Sequence, residues 1–174
     1  MKRHLLYLYA MTLCLLSLSC MSGCSDDSDD VRTIFTGKVW KMSYIFRDGN
    51  AKSYVNFWLD DREAEAKSVA ARDIAGNYEI EFMGAHTDGT FSGTVTGKVI
   101  NSTFEGTWRA NGKNQQISIG NLKWNGEETD VLAKAFQQGM TNAFKYTGDA
   151  NALYIYYKDG ELVNVIALLP KNIR

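Results

Sequence analysis

The chain predicts an α+β domain that is mostly antiparallel β: a curved or barrel-like sheet of about seven to eight strands with one main helix packed on it. Three observations carry this. Acid-glycine or amide-glycine pairs punctuate strand-like runs at Asp48-Gly49, Asn111-Gly112 and Asp159-Gly160, the chemistry of tight hairpins. Gly93 and Gly97 interrupt a run marked by Phe91, Val95 and Val99, as curvature or close backbone approach in a barrel wall requires. From Asp130 to Phe144 the apolar residues recur at spacings of three and four instead.

Taken in order, residues 37–47 and 50–58 form the first expected hairpin, with Trp40, Met42 and Tyr44 opposite Phe57, Val55 and Ser53. Leu59 to Ile74 interleaves charges with alanines and suits a short exposed helix or a crossing loop. The run Tyr78-Glu-Ile-Glu-Phe82 alternates cleanly, one face apolar and one wet, and Thr90 to Val99 follows as a strand. A two-residue turn at Asn111-Gly112 sets Phe104, Gly106 and Trp108 opposite Ile119, Ile117 and Gln115. The apolar parity flips between Ile119 and Leu122, so a bulge is expected near Gly120-Asn121.

The helix presents Leu132, Ala135, Phe136, Met140, Ala143 and Phe144 on one face. Thr129 or Asp130 can cap it, and Glu127, Glu128 and Asp130 lie at its positive end. A last hairpin joins Ala152–Tyr157 to Leu162–Leu169, with Tyr156 facing Val163 and Tyr154 facing Val165. Both of its faces are apolar, so both are expected to be covered, one by the helix and one by the rest of the sheet.

The N-terminus carries a different message. Met1-Lys2-Arg3-His4 followed by an apolar run to Leu18 reads as a secretory signal, too short for a membrane span. It ends Met21-Ser22-Gly23-Cys24, which resembles a bacterial lipobox with Cys24 as the lipidated first mature residue; ordinary secretion with nearby cleavage is the plainer alternative. The three cysteines are Cys14, Cys20 and Cys24, so a domain cut at Cys24 keeps no free thiol and no disulfide. Ser25, Asp26, Asp27, Asp29 and Asp30 then make an acidic run. It serves as a solvated tether, or it resembles the export signal that sends Bacteroidota lipoproteins to the cell surface. The expected organisation is a signal peptide over 1–23, an acidic tether over 24–33 and one β-rich domain over 34–174. The expected location is the outer membrane, lipid-anchored and facing outward.

Charge excludes one class of partner. The whole chain is −1, and removing Lys2 and Arg3 takes it to −3. The acids of the tether account for that excess, the rest stays near neutral, and nucleic acid has no support.

The stretch Asp130-Val-Leu-Ala-Lys-Ala-Phe-Gln-Gln-Gly-Met-Thr-Asn-Ala-Phe-Lys-Tyr146, followed by Gly148-Asp149 and Leu153-Tyr-Ile-Tyr156, resembles the META domain of HslJ-type bacterial lipoproteins. Trp40 early in the first strand also fits. The resemblance implies a curved antiparallel sheet, one helix and a terminal hairpin, in a protein tied to envelope stress and outer-membrane upkeep. The rival fold is a lipocalin-like barrel, since eight candidate strands can be counted.

Residues for catalysis are sparse. His4 leaves with the signal, so His86 remains, placed in an expected turn at Gly84–Gly89; a Ser-His-Asp arrangement around it is arithmetically open, but a lone loop histidine is ordinarily a loop residue. Glu79 and Glu81 share the wet face of their strand, and Asp60-Asp61 sits in the crossing segment. No zinc, EF-hand, Walker or dinucleotide pattern is present, so no cofactor and no enzyme activity is expected. The remaining lead is aromatic: Tyr54, Trp58 and Trp124 could stack on sugar rings or line an apolar pocket, while core packing is the plainer use of such residues. The expectation is a non-enzymatic, surface-anchored lipoprotein that binds or maintains the envelope. The alternatives are a glycan-binding module and a carrier of a small apolar ligand.

Overall fold

The structure, a computed structural model, describes residues 27–87 and 90–171. In chain order these form α1 (Asp27–Phe35), β1 (Val39–Arg47), β2 (Asn50–Tyr54), α2 (Arg62–Asp73), β3 (Glu79–Thr87), β4 (Thr90–Lys98), β5 (Thr103–Asn111) and β6 (Gln116–Asn125). They continue with α3 (Val131–Thr141), β7 (Ala143–Gly148), β8 (Leu153–Asp159) and β9 (Leu162–Pro170). All neighbouring strands are antiparallel. The order β1-β3-β4-β5-β6-β7-β8-β9 closes because β9 pairs back onto β1, giving an eight-stranded barrel. Strand β2 shares an edge of β1 with β3: β3 takes Val39–Lys41, and β2 takes Phe46 and Arg47. The barrel is thinnest between β6 and β7, where Gln116 pairs with Lys145 and the Tyr146 N–H donates to the Gln115 carbonyl at 2.9 Å.

The hairpin registers differ from expectation, always for a local reason. Asp48-Gly49 does turn the first hairpin, but after Arg47↔Asn50 the register jumps to Phe46↔Tyr54. Met42 and Tyr44 therefore face Leu168 and Ala167 of β9, and Trp40 faces Ile80, instead of the 53–57 segment. At Asn111 the side chain accepts the N–H groups of Lys113 and Asn114, and Gln115 adopts φ +54°, so the loop is longer than two residues. The pairs become Trp108↔Ile119 and Ala110↔Ile117. The last turn centres on Gly160 (φ +61°), which gives Tyr156↔Val165 and Tyr154↔Ala167. In these two hairpins the displacement is an even number of residues, and each side chain keeps its expected face. The bulge falls where parity demanded it: Thr107↔Gly120 is followed by Glu105↔Lys123, with Asn121 at φ +52°. His86 is not in a turn; it is an exposed residue of β3 opposite Phe91.

Side chains fill the barrel. Trp40, Met42, Tyr78, Ile80, Phe82, Val95, Leu153, Ile155, Tyr157 and Ile166 are each 0–1% exposed. A Cβ on Gly93 would stand 2.0 Å from the Met83 carbonyl oxygen, so glycine lets the sheet coil. The Trp108 indole N–H donates to that same oxygen at 3.0 Å. Helix α1 brings Phe35 into the interior, against Phe82, Trp108 and Tyr146 at 4.7–5.1 Å. Since Val31 is 1% exposed, the folded domain reaches into the 24–33 segment assigned by composition to the tether.

Helix α3 covers the inner face of β8 and β9. Asp130 is its cap, accepting the Ala133 N–H at 2.9 Å. Leu132, Phe136 and Met140 are fully buried, and Gly139 admits Ile166 and Tyr157. The helix stops at Thr141; Ala143 and Phe144, expected on its apolar face, already belong to β7. Glu128, expected at the helix dipole, turns instead to the β4–β5 corner, where it accepts from the N–H groups of Ile100, Asn101 and Ser102.

Candidate functional site

Strand alternation places Tyr154 and Tyr156 outside the barrel, and the register carries that outward face across its neighbours. One row runs Lys145, Tyr156, Val165, Phe46, Tyr54 over β7, β8, β9, β1 and β2. The next runs Thr147, Tyr154, Ala167, Tyr44. The small residues of β9 lie beneath the rings of both flanks, so Val165 is 0% and Ala167 3% exposed. Phe46 meets Tyr154 at 6.3 Å across β9, Tyr44 meets Phe46 at 5.4 Å, and Tyr54 meets Tyr44 at 6.0 Å. Tyr44, Tyr54, Tyr154 and Tyr156 stay half-buried. Phe46 itself is 7% exposed, and Tyr54 also meets the core at Trp58, 5.8 Å away, so this is an aromatic wall on the outside of the barrel that joins the core at its Tyr54 end.

Polar groups frame the wall. At one end the Tyr54 hydroxyl donates to the Ser43 carbonyl at 3.1 Å and accepts from Arg72 of α2, which also donates to that carbonyl and pairs with Asp73 at 2.6 Å. Burial raises the Tyr54 pKa above its ordinary value, partly offset by the Arg72 charge. At the other end the Lys145 ammonium lies 5.1 Å over the Tyr156 ring, and Thr147 and the Tyr156 hydroxyl are hydrogen-bonded at 3.3 Å.

The three aromatic candidates have separate fates. Tyr54 ends the wall. Trp58 is a core residue, 6% exposed: its indole N–H donates to the Ser68 hydroxyl at 2.8 Å, and Ser68 donates to Asp130 at 2.5 Å, tying α2 to the start of α3. Trp124 stacks on Phe104 at 4.7 Å and stays half-buried. It lines a 680 Å³ cleft on β3–β6 with Glu81, Glu105, Lys98 and Lys123. Nothing local in the sequence sets Tyr44, Phe46, Tyr154 and Tyr156 apart as a group. The apolar outer face of the last hairpin was the signal that could have found them.

Other sequence candidates take structural roles or lie elsewhere. Glu79 accepts from Lys171 at 2.9 Å and from the Gly76 N–H, while Glu81 is exposed. Asp61 caps α2 and Asp60 bonds Asn56. Among the described residues no three His, Cys, Asp or Glu side chains group as metal ligands, and no helix is long and apolar enough to cross a membrane. Cys24, Ser25 and Asp26 lie outside the described residues, and Asp27, Asp29 and Asp30 fall on α1.

The fold and the wall together define a small antiparallel β-barrel with a packed interior and an aromatic outer sheet face. A family model for a domain of unknown function, DUF4847, matches residues 26–170, and the chain belongs to that family. It is also similar to a DUF4847 family protein from Bacteroides vulgatus ATCC 8482 whose crystal structure is known at 1.00 Å. That similarity is 26% in sequence with a TM-score of 0.56, over 80% of this chain and 96% of that one. No curated protein matches.

Proposed function

We propose that this protein is a cell-surface lipoprotein, held to the outer membrane through Cys24, that acts by binding a glycan rather than by catalysis. The observation that carries the reading is the wall itself. Tyr44, Tyr54, Tyr154 and Tyr156 stand half-buried around Phe46, Val165 and Ala167 on the outer sheet face, with neighbouring rings tilted to edge-on, and offer ring faces and edges to a sugar. An apolar patch of this kind on a barrel exterior marks an interaction surface, while large buried side chains occupy the barrel interior. The lipobox-like and acidic runs at the N-terminus support an outward-facing anchor. The META-like pattern of Asp130–Tyr146 supports a role in the envelope.

The test is isothermal titration of the soluble domain against a panel of host and dietary polysaccharides. Tyr154→Ala should weaken binding at least about tenfold, the scale of one lost aromatic contact, while the thermal melt shows a folded domain. Trp124→Ala should leave binding unchanged. Loss of affinity in Trp124→Ala alone would move the site to the β3–β6 cleft.

A second reading, a carrier of a small apolar ligand, draws on the eight-stranded barrel, a fold that elsewhere encloses such ligands. Here Trp40, Tyr78, Phe82 and Tyr157 occupy that interior. Displacement of a fluorescent fatty acid at micromolar concentration would favour this reading over the wall.

A further inference from the structure

The wall is chemically lopsided. At its β2 end the cation, Arg72, is already engaged by Asp73, the Ser43 carbonyl and Tyr54. At its β7–β8 end stand two lysines, Lys145 over Tyr156 at 5.1 Å and Lys158 over the exposed Phe144 ring at 5.7 Å. Lys158 follows Tyr156 by two residues on β8 and shares its outward face, opposite Val163. Neither ammonium has an ion pair among the described residues. The two aromatic rows hold no acid; Asp48, Asp159 and Glu161 lie in or beside the turns beyond them. An ammonium resting on a ring and without a carboxylate partner is held in place to meet an anion.

We propose, resting on the glycan reading above, that the ligand is an acidic polysaccharide whose anionic group docks between Lys145 and Lys158 while its sugar rings cross the tyrosines. The chain lies over the half-buried rings of Tyr156 and Tyr154, which flank the buried Val165 and Phe46. A carboxylate on a uronic acid and a sulfate ester share the required chemistry, and the experiment separates them.

Titrate the domain with polygalacturonate and its fully methyl-esterified form, and with dextran sulfate and dextran. The acidic member of at least one pair should bind about tenfold or more tighter than its neutral partner. The preferred pair names the carboxylate or the sulfate. Lys145→Gln with Lys158→Gln should abolish that preference and flatten its salt dependence, leaving the thermal melt in place. Tyr154→Ala should weaken the acidic ligand as well. Equal binding of acidic and neutral chains, unchanged in the lysine variant, would overturn the inference and leave the aromatic wall standing. Acidic binding that survives Tyr154→Ala would reduce it to charge alone and overturn it too. Binding to no glycan of the wider panel would overturn both readings.

Discussion

A carboxyl group removed from water needs donors, and Glu128, 3% exposed, finds them for one of its two oxygens, while Oε2 is buried without a partner. Its Oε1 accepts from Ile100, Asn101 and Ser102 N–H groups and from the Ser102 hydroxyl, at 2.8–3.0 Å. It staples the β4–β5 corner to the segment entering α3. Replacing it with alanine leaves the Ser102 N–H and hydroxyl buried without that partner, and a urea melt should show a loss of about 1–3 kcal/mol. Glu79 makes a pH-dependent contribution instead. Burial alone would raise its pKa, but the hydrogen bond from Lys171, the Gly76 N–H, and the charges of Lys171 and Lys41 outweigh it and hold the carboxyl below its ordinary value. The folded protein then binds fewer protons than the unfolded chain in acid. Its contribution is complete above the ordinary carboxylate pKa of about 4.3 and is lost as pH falls toward the folded value. Urea melts from pH 7 to pH 3 should therefore show a steeper acid loss in the native protein than in Lys171→Met.

At the scale of elements, α3 owes its stability to the face it buries. Phe136 is 0% exposed and meets Tyr78 edge-on at 5.4 Å, so Phe136→Ala should cost about 3–5 kcal/mol in the same melt. A shift below about 1 kcal/mol would mean that α3 is not part of the core. Helix α2 behaves differently. Its outer face is alanine and charge, and its one fully buried side chain, Ser68, joins Trp58 to Asp130. That is why its segment looked weakly apolar: the helix docks through a hydrogen-bond chain more than through an apolar stripe.

At the scale of the whole molecule, the barrel turns its aromatic wall outward, and the proposed anchor at Cys24 would decide where that wall is displayed. On the proposed anchoring, Cys24→Ala should release the protein from the membrane fraction, whereas Cys20→Ala should not, because several acyl chains on Cys24 would give stable anchoring. Replacing Asp26, Asp27, Asp29 and Asp30 with alanine should lower protease accessibility on intact cells without altering lipidation. Since α1 begins at Asp27, a thermal melt of that variant must accompany the shaving experiment. Equal accessibility of both forms would leave the run as a spacer.

The sequence alone determined what local chemistry controls. Asp and Asn beside glycine marked the three hairpins, period-two alternation gave the faces of β3, β8 and β9, and three-four spacing with Asp130 as cap gave α3. Gly93 and Gly97 announced the curvature, and the parity flip announced the bulge at Asn121. Closure was beyond it, because β1 and β9 stand more than a hundred residues apart and their pairing depends on the coiling of every strand between them. The entry of Phe35 into the core was hidden by the acidic composition of the residues before it. Trp58 and Tyr54, four residues apart, could not be sorted into core and wall until α2 was in place. The wall itself is a product of register: Tyr44, Phe46, Tyr54, Tyr154 and Tyr156 are scattered over 113 positions of the chain and become neighbours only when β9 lies between β8 and β1. Side-chain alternation is a property of one strand, but adjacency across strands belongs to the closed sheet.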